Sequence, residues 1–191
     1  MMAIDQIPFH HNDGSAATLA DFRGKVLLLV NVASRCGLTP QYAGLESLFK
    51  AFGAEGLTVI GFPANDFNAQ EPGGDDEIAQ FCSGTFGITF PLARKIAVTG
   101  ADQHALFAAL TGAQPVAVDP HEGAMRSKLA GYGIASSEPG DVLWNFEKFL
   151  VSRDGHVVAR FNPDVEPDHP ALVAAIEKQL AKSRNGVHPL S

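Results

Sequence analysis

This sequence of 191 residues has few cysteines and little positive charge. Its two cysteines, Cys36 and Cys82, are fewer than a secreted scaffold held by disulfides would need. Its 14 basic side chains are outnumbered by 21 acidic ones, and the resulting formal charge of -7 argues against nucleic-acid binding. The chain also lacks an apolar run of about 18 residues, so we expect no membrane insertion through a spanning helix.

The beginning of the chain lacks the pattern of a secretory signal. Residues 1–5 do not form a basic segment that is followed by an apolar run. Together with the low number of cysteines, this predicts a cytoplasmic protein. Hydrophobic residues make up 46% of the chain and charged residues 18%, which is enough apolar material for a sizeable core.

The first half of the chain has the pattern of a parallel strand pair. The continuous apolar segment from Lys25 to Ala33 predicts a buried strand, because a half-buried strand would alternate apolar and polar residues. Thr39 and Pro40 are typical of a helix start, and Leu57 to Phe62 predicts a second buried strand. Strand, helix and strand at this spacing indicate a parallel pair with a right-handed crossover.

The second half adds helices and an antiparallel hairpin. Helices are predicted at 75–83, 102–110 and 170–182, a strand within 92–98, and a hairpin from 144–151 and 156–161. The sum is an α/β fold with a central mixed sheet flanked by helices, in a thioredoxin-like arrangement. We expect one domain over 1–182, with an insertion at about 111–142 that contains a short helix near 123–130, and a loose tail over 183–191.

Cys36 lies between the first buried strand and the following helix. The unpaired N–H groups of a helix start stabilise a thiolate, so this position is expected to lower the pKa of the cysteine, and Arg35 adds positive charge nearby. Thr39 stands where a thioredoxin-type motif has its second cysteine, which excludes dithiol exchange within one turn. The natural electrophile for such a thiolate is a peroxide, which would convert it to a sulfenic acid. An inert buried cysteine is the alternative.

Three segments resemble the signatures of the glutathione peroxidase family, namely Asn31 to Thr39, Gly61 to Gly73 and Trp144 to Val151. The resemblance runs from about Phe9 to Phe161 and is weakest across the insertion. It implies a thioredoxin-like fold and a peroxidase that reduces hydrogen peroxide or organic and lipid hydroperoxides. Since a cysteine stands at the position of the reactive selenocysteine or cysteine, no selenium is needed, and we expect no other cofactor and no metal.

The resemblance also implies a catalytic tetrad of Cys36, Gln70, Trp144 and Asn145. Cys36 would attack the peroxide. The side-chain amides and the indole N–H of the other three residues would donate hydrogen bonds to the thiolate or to the peroxide oxygen.

Three positions near Gln70 depart from the family pattern. Ala64 stands where many non-mammalian relatives have a cysteine, so no sulfur acts there. Asp66 replaces a usual Gln, and Asn68 replaces a usual Gly. These two replacements are expected to reshape the loop before Gln70 without abolishing activity.

Cys82 matches the resolving cysteine of thioredoxin-dependent members of the family. The resemblance implies that Cys82 attacks the Cys36 sulfenic acid and forms an intramolecular disulfide, which thioredoxin then reduces. Because bridged cysteines need Cα atoms within about 7 Å, we expect the helix that carries Cys82 to unwind first. A buried structural cysteine is the alternative.

Glutathione is the second candidate reductant, and the basic side chains available for its carboxylates are Arg35, Arg94 and Lys95.

The length of the segment 111–142 favours a glutathione-using type of relative over a thioredoxin-dependent one. A connection of this length is typical of tetrameric, glutathione-using relatives, so a homo-oligomer remains open. Cys82 receives more weight because it supplies chemistry, whereas a loop length does not. Two further alternatives are a sensor that relays oxidation to a partner protein and a binding module without catalysis, and the intact tetrad argues against the second.

Overall fold

The computed structural model describes residues 2–135 and 137–182. Within these residues the chain forms strands and α-helices around one central sheet. The strands are β1 (Phe9–His10), β2 (Ala16–Ala17), β3 (Val26–Val32), β4 (Leu57–Pro63), β5 (Lys148–Val151) and β6 (Val157–Phe161). The helices are α1 (Gln41–Phe52), α2 (Asp75–Phe86), α3 (Ala105–Ala113), α4 (Ala124–Gly131) and α5 (Pro170–Leu180). The predicted tail over 183–191 lies outside the described residues.

The central sheet is mixed, with the strand order β4-β3-β5-β6. Strand β3 pairs in parallel with β4, from Val26 with Leu57 to Val32 with Pro63. On its other side β3 pairs antiparallel with β5, and β5 pairs antiparallel with β6. The predicted parallel unit and the predicted terminal hairpin are therefore both confirmed.

The two parallel strands are the centre of the core. Every residue of β3 and β4 is buried, which explains why both segments are mostly apolar instead of alternating, with Asn31 and Thr58 as the buried polar exceptions. Aromatic rings pack against this layer, with Phe62 edge-on to Phe107 at 5.5 Å between ring centroids. Both strands run toward the same edge of the sheet, and β3 delivers the chain to Cys36 there.

Helix α2 is longer than predicted, because it continues past Ser83 to Phe86. The stop comes from Gly87, which has φ +61 and whose neighbour Ile88 donates its N–H back to the Cys82 carbonyl at 3.1 Å. Cys82 consequently lies inside the last turns of an intact helix and not at its end.

The strand expected within 92–98 does not form. Only isolated bridges occur, between Leu92 and Gly61 and between Ala93 and His11. The backbone N–H groups of this segment are divided between two strands: Ala93 and Ile96 donate to Gly61 and Pro63 on β4, and Arg94 donates to His10 on β1. A segment whose hydrogen bonds are divided in this way cannot build a continuous ladder.

The segment predicted as an insertion carries α4, close to the short helix expected there. Buried Arg160 on β6 binds both ends of this segment. Its guanidinium donates to the carbonyls of Gln114, Gly140 and Asp141 at 2.7–3.1 Å. Val118 also bridges to Phe161 and covers part of the β6 edge. The segment is thus tied to the sheet at both ends.

No helix in the part of the chain that the structure describes has the length and apolar character needed to cross a membrane.

Candidate active site

The loop after β3 holds Cys36 in place through Thr39. The Cys36 backbone N–H donates to the Thr39 hydroxyl at 2.9 Å, and that hydroxyl donates to the Ala33 carbonyl at 2.8 Å. Thr39 was predicted as the cap of α1, but the helix begins at Gln41 and Thr39 instead closes the turn around the cysteine. The thiol is thereby fixed at the carboxyl end of β3, in front of the helix.

Three donors point at the Cys36 sulfur. The backbone N–H of Leu38 donates to Sγ at 3.3 Å, and the side chains of Trp144 and Asn145 also hydrogen-bond to the thiol. These donors lower the pKa of Cys36, but burial raises it by more, since the side chain is only 8% exposed. The expected net lowering of this pKa is therefore not found in the resting structure.

Gln70 joins the site through Asn145. The Asn145 amide donates to the Gln70 side-chain oxygen at 3.0 Å, and the Gln70 carbonyl accepts from the Arg35 backbone N–H at 3.0 Å. Asn68 and Ala69 both have positive φ, +52 and +49, so the backbone turns sharply just before Gln70. Asn tolerates this conformation at position 68, where the family pattern described above has the more permissive Gly.

The Trp144–Asn145 segment is held against β3 by Asn31. The Asn31 side chain donates to the Trp144 carbonyl at 3.0 Å, and the Phe146 N–H donates to the Asn31 carbonyl at 2.6 Å. Phe146 has φ +69, and the Trp144 ring packs on Phe67 at 5.2 Å between centroids. The tight turn aims two consecutive side chains at the same sulfur.

Beneath this segment lies a buried charged network. The Glu147 carboxylate accepts from Arg160 at 2.9 Å and from the Leu143 N–H at 2.8 Å. The ammonium of Lys148 donates to the Phe146 and Pro163 carbonyls at 2.7 and 3.2 Å, and burial lowers its pKa to about 7. The network fixes both ends of the turn that presents Trp144 and Asn145.

Of the three basic side chains considered for a glutathione carboxylate, Lys95 is already occupied within the protein. The Lys95 ammonium is engaged, because it donates to the Glu71 and Gly73 carbonyls at 2.9 and 2.5 Å. Instead, Lys128 on α4 lies close enough to Cys36 to lower the pKa of the thiol. No signal in the sequence could have found Lys128, since its position depends on how the insertion folds back.

Cys82 interacts with a different set of groups from Cys36. Both cysteines are free and buried, and Cys82 is 1% exposed. It faces Tyr42 on α1, whose hydroxyl lowers the pKa of the thiol, but burial outweighs this effect and raises the pKa to about 11. The Tyr42 ring packs between Phe86 and Phe146, at 5.5 and 5.4 Å between centroids.

The comparisons with known proteins agree on one family. The family model described as glutathione peroxidase matches residues 4–111, which is more than half of the chain. The chain belongs to the glutathione peroxidase family. It is 50% identical over 170 residues to "Thioredoxin/glutathione peroxidase BtuE" of Escherichia coli (strain K12), covering 89% of this chain and 93% of that protein.

Two further relatives support the assignment. The chain is 48% identical over 168 residues to "Hydroperoxy fatty acid reductase gpx1" of Synechocystis sp. (strain ATCC 27184 / PCC 6803 / Kazusa), covering 88% of this chain and 90% of that protein. The apo crystal structure of Trgpx superposes with a TM-score of 0.69 at 29% identity, covering 96% of this chain and 99% of that one. The thioredoxin-like fold and the peroxidase function predicted from the sequence are confirmed, and the chain is a thiol peroxidase of this family.

Proposed function

We propose that Cys36 is the peroxidatic residue and that Gln70, Trp144 and Asn145 complete its site. The observation that carries this proposal is the convergence of the Leu38 N–H, Trp144 and Asn145 on the Cys36 sulfur. In the first step the Cys36 thiolate attacks one peroxide oxygen, the O–O bond breaks, and the sulfur becomes a sulfenic acid. The second oxygen leaves with a proton as water or as an alcohol.

The donors favour this step because negative charge moves from sulfur to the leaving oxygen. Trp144 and Asn145 already face the thiol, and Gln70 is held beside Asn145 by a hydrogen bond of 3.0 Å. Fixed donors in a buried site stabilise such a shifting charge without reorganisation. Replacing Cys36 with Ser is expected to abolish peroxide consumption, and retained activity in a peroxide-consumption assay would overturn the assignment.

The substrates are hydrogen peroxide and organic hydroperoxides, including those of lipids. The Synechocystis relative is named for hydroperoxy fatty acids, and the apolar Trp144 and Phe67 rings beside the thiol suit an alkyl chain. Turnover with hydrogen peroxide, an alkyl hydroperoxide and a fatty-acid hydroperoxide would rank the three substrates.

Cys82 resolves the sulfenic acid, and thioredoxin is the reductant. The Escherichia coli relative is named for both thioredoxin and glutathione, and Cys82 gives this chain the second thiol that a thioredoxin-reducible disulfide requires. Free cysteines and a thioredoxin partner are compatible with the reducing cytoplasm, which we propose as the location. Mass measurement after one equivalent of peroxide should show an internal disulfide, and a persistent sulfenic acid would rule out the resolving role.

Glutathione is the second candidate reductant, favoured by Lys128 near the thiol. Steady-state turnover with thioredoxin and with glutathione, measured side by side, separates the two. A sensor that relays oxidation to a partner protein would consume only stoichiometric peroxide with either reductant.

Gel filtration with light scattering tests whether the chain forms a homo-oligomer through the segment 111–142.

A further inference from the structure

Lys148 is a buried lysine on β5 that forms no ion pair among the residues described by the structure. Its side chain is 0% exposed. The carboxylate next to it in the chain, that of Glu147, is committed to Arg160 at 2.9 Å. A buried amine without an anionic partner is costly, so its retention at this position calls for a functional explanation.

Two backbone carbonyls accept the hydrogen bonds of this side chain. The Lys148 nitrogen (Nζ) donates to the Phe146 carbonyl at 2.7 Å and to the Pro163 carbonyl at 3.2 Å. Burial lowers the pKa of Lys148 to about 7, and an amine that has lost its charge still has two N–H groups for the two carbonyls. The two contacts therefore do not depend on the charge of the amine.

Phe146 is the end of the turn that presents the donors to the thiol. We call residues 144–146 the donor turn. Phe146 has φ +69, a left-handed backbone conformation that is rare for a residue with a bulky side chain and that persists only where its surroundings hold it. Its N–H donates to the Asn31 carbonyl at 2.6 Å, and its carbonyl accepts from Lys148. Without the lysine, the strained residue would be held from one side only.

The Pro163 carbonyl connects Lys148 to the start of α1. The Gln41 side-chain nitrogen (Nε2) donates to the same oxygen at 2.8 Å, and Gln41 is 3% exposed. Gln41 is the first residue of α1, and its backbone N–H donates to the Leu38 carbonyl at 2.9 Å. The N–H of Leu38 in turn donates to the Cys36 sulfur at 3.3 Å. A continuous chain of hydrogen bonds thus joins the donor turn to the loop that carries the thiol.

We infer that Lys148 is a positioning residue for the peroxide step, because it holds the donor turn in register with the Cys36 loop through the Phe146 and Pro163 carbonyls. The inference rests on the peroxidatic site proposed above. Asn31 binds the donor turn to β3, whereas Lys148 binds it to the start of α1 as well. Donors that face a developing charge must be held in place, and a misplacement of about 1 Å can slow a reaction by about 10²-fold.

The test begins with Lys148→Met, which keeps an unbranched side chain and removes both hydrogen bonds. The measurement is the second-order rate constant of the reduced protein with hydrogen peroxide, taken by stopped-flow at a temperature where all the proteins are folded. We expect Lys148→Met to react on the order of 10²-fold more slowly than wild type. Lys178→Met removes an exposed lysine from the last turn of α5 and should match wild type.

The fluorescence of Trp144 provides a readout of the donor turn itself. Trp144 is the one tryptophan of the chain and is 5% exposed, so its emission reports the position of the turn directly. In Lys148→Met we expect emission at longer wavelength and stronger quenching by acrylamide than in wild type. Lys148→Arg keeps N–H donors at this position and should restore part of both the emission and the rate. A slower Lys148→Met with unchanged Trp144 fluorescence would overturn the inference.

Gln41→Leu tests the second contact, and decides the question if Lys148→Met does not fold. It removes the other donor to the Pro163 carbonyl and should slow the peroxide step by about tenfold, with a change in Trp144 fluorescence in the same direction. A wild-type rate in Gln41→Leu would overturn the inference.

The positioning role and the peroxidatic site fail in different ways. Peroxide consumption that survives Cys36→Ser would reject the peroxidatic site, and the role of Lys148 with it. An inactive Cys36→Ser together with a wild-type rate in Lys148→Met would reject the positioning role alone.

Discussion

The two cysteines have opposite surroundings, and this difference divides the chemistry between them. Cys36 is faced by N–H donors from Leu38, Trp144 and Asn145, which stabilise negative charge on sulfur. Cys82 is buried beside a phenol and a carboxylate, and the carboxylate opposes a second negative charge. Cys36 is therefore the thiol whose surroundings favour loss of its proton first, whereas burial keeps Cys82 protonated.

The pKa of Cys36 determines how the peroxide step depends on pH. Burial raises this pKa above its ordinary value of 9.0, so the thiolate fraction still increases at pH 9. We expect the second-order rate constant for hydrogen peroxide, measured by stopped-flow on the reduced protein, to rise continuously from pH 6 to 9. A plateau near pH 7 would mean that the thiolate is already formed in the resting enzyme.

Lys128 offers a control for this pH profile. Its charge lowers the pKa of Cys36 from an exposed position on α4, so Lys128→Gln should move the profile slightly to higher pH. Because exposed charges are screened within about 8 Å at physiological ionic strength and more closely at higher salt, the displacement should shrink as salt is added. A displacement that is independent of salt would argue for a different cause.

The indole N–H of Trp144 can be tested with a substitution that keeps an aromatic ring. Trp144→Phe retains a ring against Phe67 and removes the donor that faces the thiol, together with part of a buried side chain. We expect the peroxide step to slow by on the order of 10²-fold, the effect of removing one fixed donor from a buried site. The smaller ring leaves buried space, so thermal unfolding should occur at a somewhat lower temperature, and the rate is compared at a temperature where both proteins are folded. A variant that reacts at the wild-type rate would limit Trp144 to a packing role.

Elements with a single strong sequence pattern could be predicted, and elements that depend on distant partners could not. Continuous apolar residues identify β3 and β4, because strands covered on both faces have no polar side. The end of α2 was missed because Gly84 weakens the helix pattern, whereas the actual stop is Gly87. At the site, the motifs identify Cys36 and its donors, but the positions of Tyr42 and Lys128 follow only from tertiary packing.

We expect helix α2 to loosen before Cys82 reaches Cys36, and Gly84 allows this to be tested. Gly84 is exposed, and an added Cβ would meet no atom within 4 Å, so Gly84→Ala should stabilise the helix by about 1 kcal/mol. If unwinding precedes the disulfide, that stabilisation should slow disulfide formation about fivefold. Quenched mass measurement after one equivalent of peroxide gives the rate.

A matched substitution exists in another helix. Gly112 in α3 is also exposed and open, so Gly112→Ala should stabilise its helix similarly and leave the disulfide rate unchanged. Equal rates in Gly84→Ala and wild type would show that Cys82 reaches Cys36 without opening α2.

At the scale of the whole molecule, one buried network connects the sheet, the insertion and the active-site turn. Arg160 on β6 binds Glu147 at 2.9 Å and fastens the ends of the segment that carries α4. Lys148 on β5 supports the Phe146 carbonyl, next to Asn145. Removing one member of a buried ion pair typically costs 3–5 kcal/mol, so this network constrains the site as well as the fold.

The burial of Cys82 should make the free energy of unfolding decrease at alkaline pH. The folded thiol has a pKa of about 11 against an ordinary 9.0, so the unfolded chain loses this proton first as pH rises. Below pH 9 the folded and unfolded states both keep the proton, and the buried thiol makes its full contribution to the free energy of unfolding. Between pH 9 and 11 the free energy of unfolding falls by about 3 kcal/mol, since each pH unit corresponds to roughly 1.4 kcal/mol.

Other groups titrate in the same range, so the effect has to be isolated by difference. Tyr42 has a raised pKa and acts in the same direction as Cys82, whereas Lys148, with a pKa of about 7, increases stability as pH rises toward 10.5. Denaturant unfolding of reduced wild type and Cys82→Ala from pH 8 to 11 cancels the contribution of Lys148 and the part of the Tyr42 contribution that comes from burial, while the part that Cys82 itself causes in Tyr42 counts with the thiol. Wild type should lose about 3 kcal/mol relative to the variant across that range. A constant difference would mean that the thiol ionises in the folded protein at its ordinary pKa, and that burial does not disfavour the Cys82 thiolate.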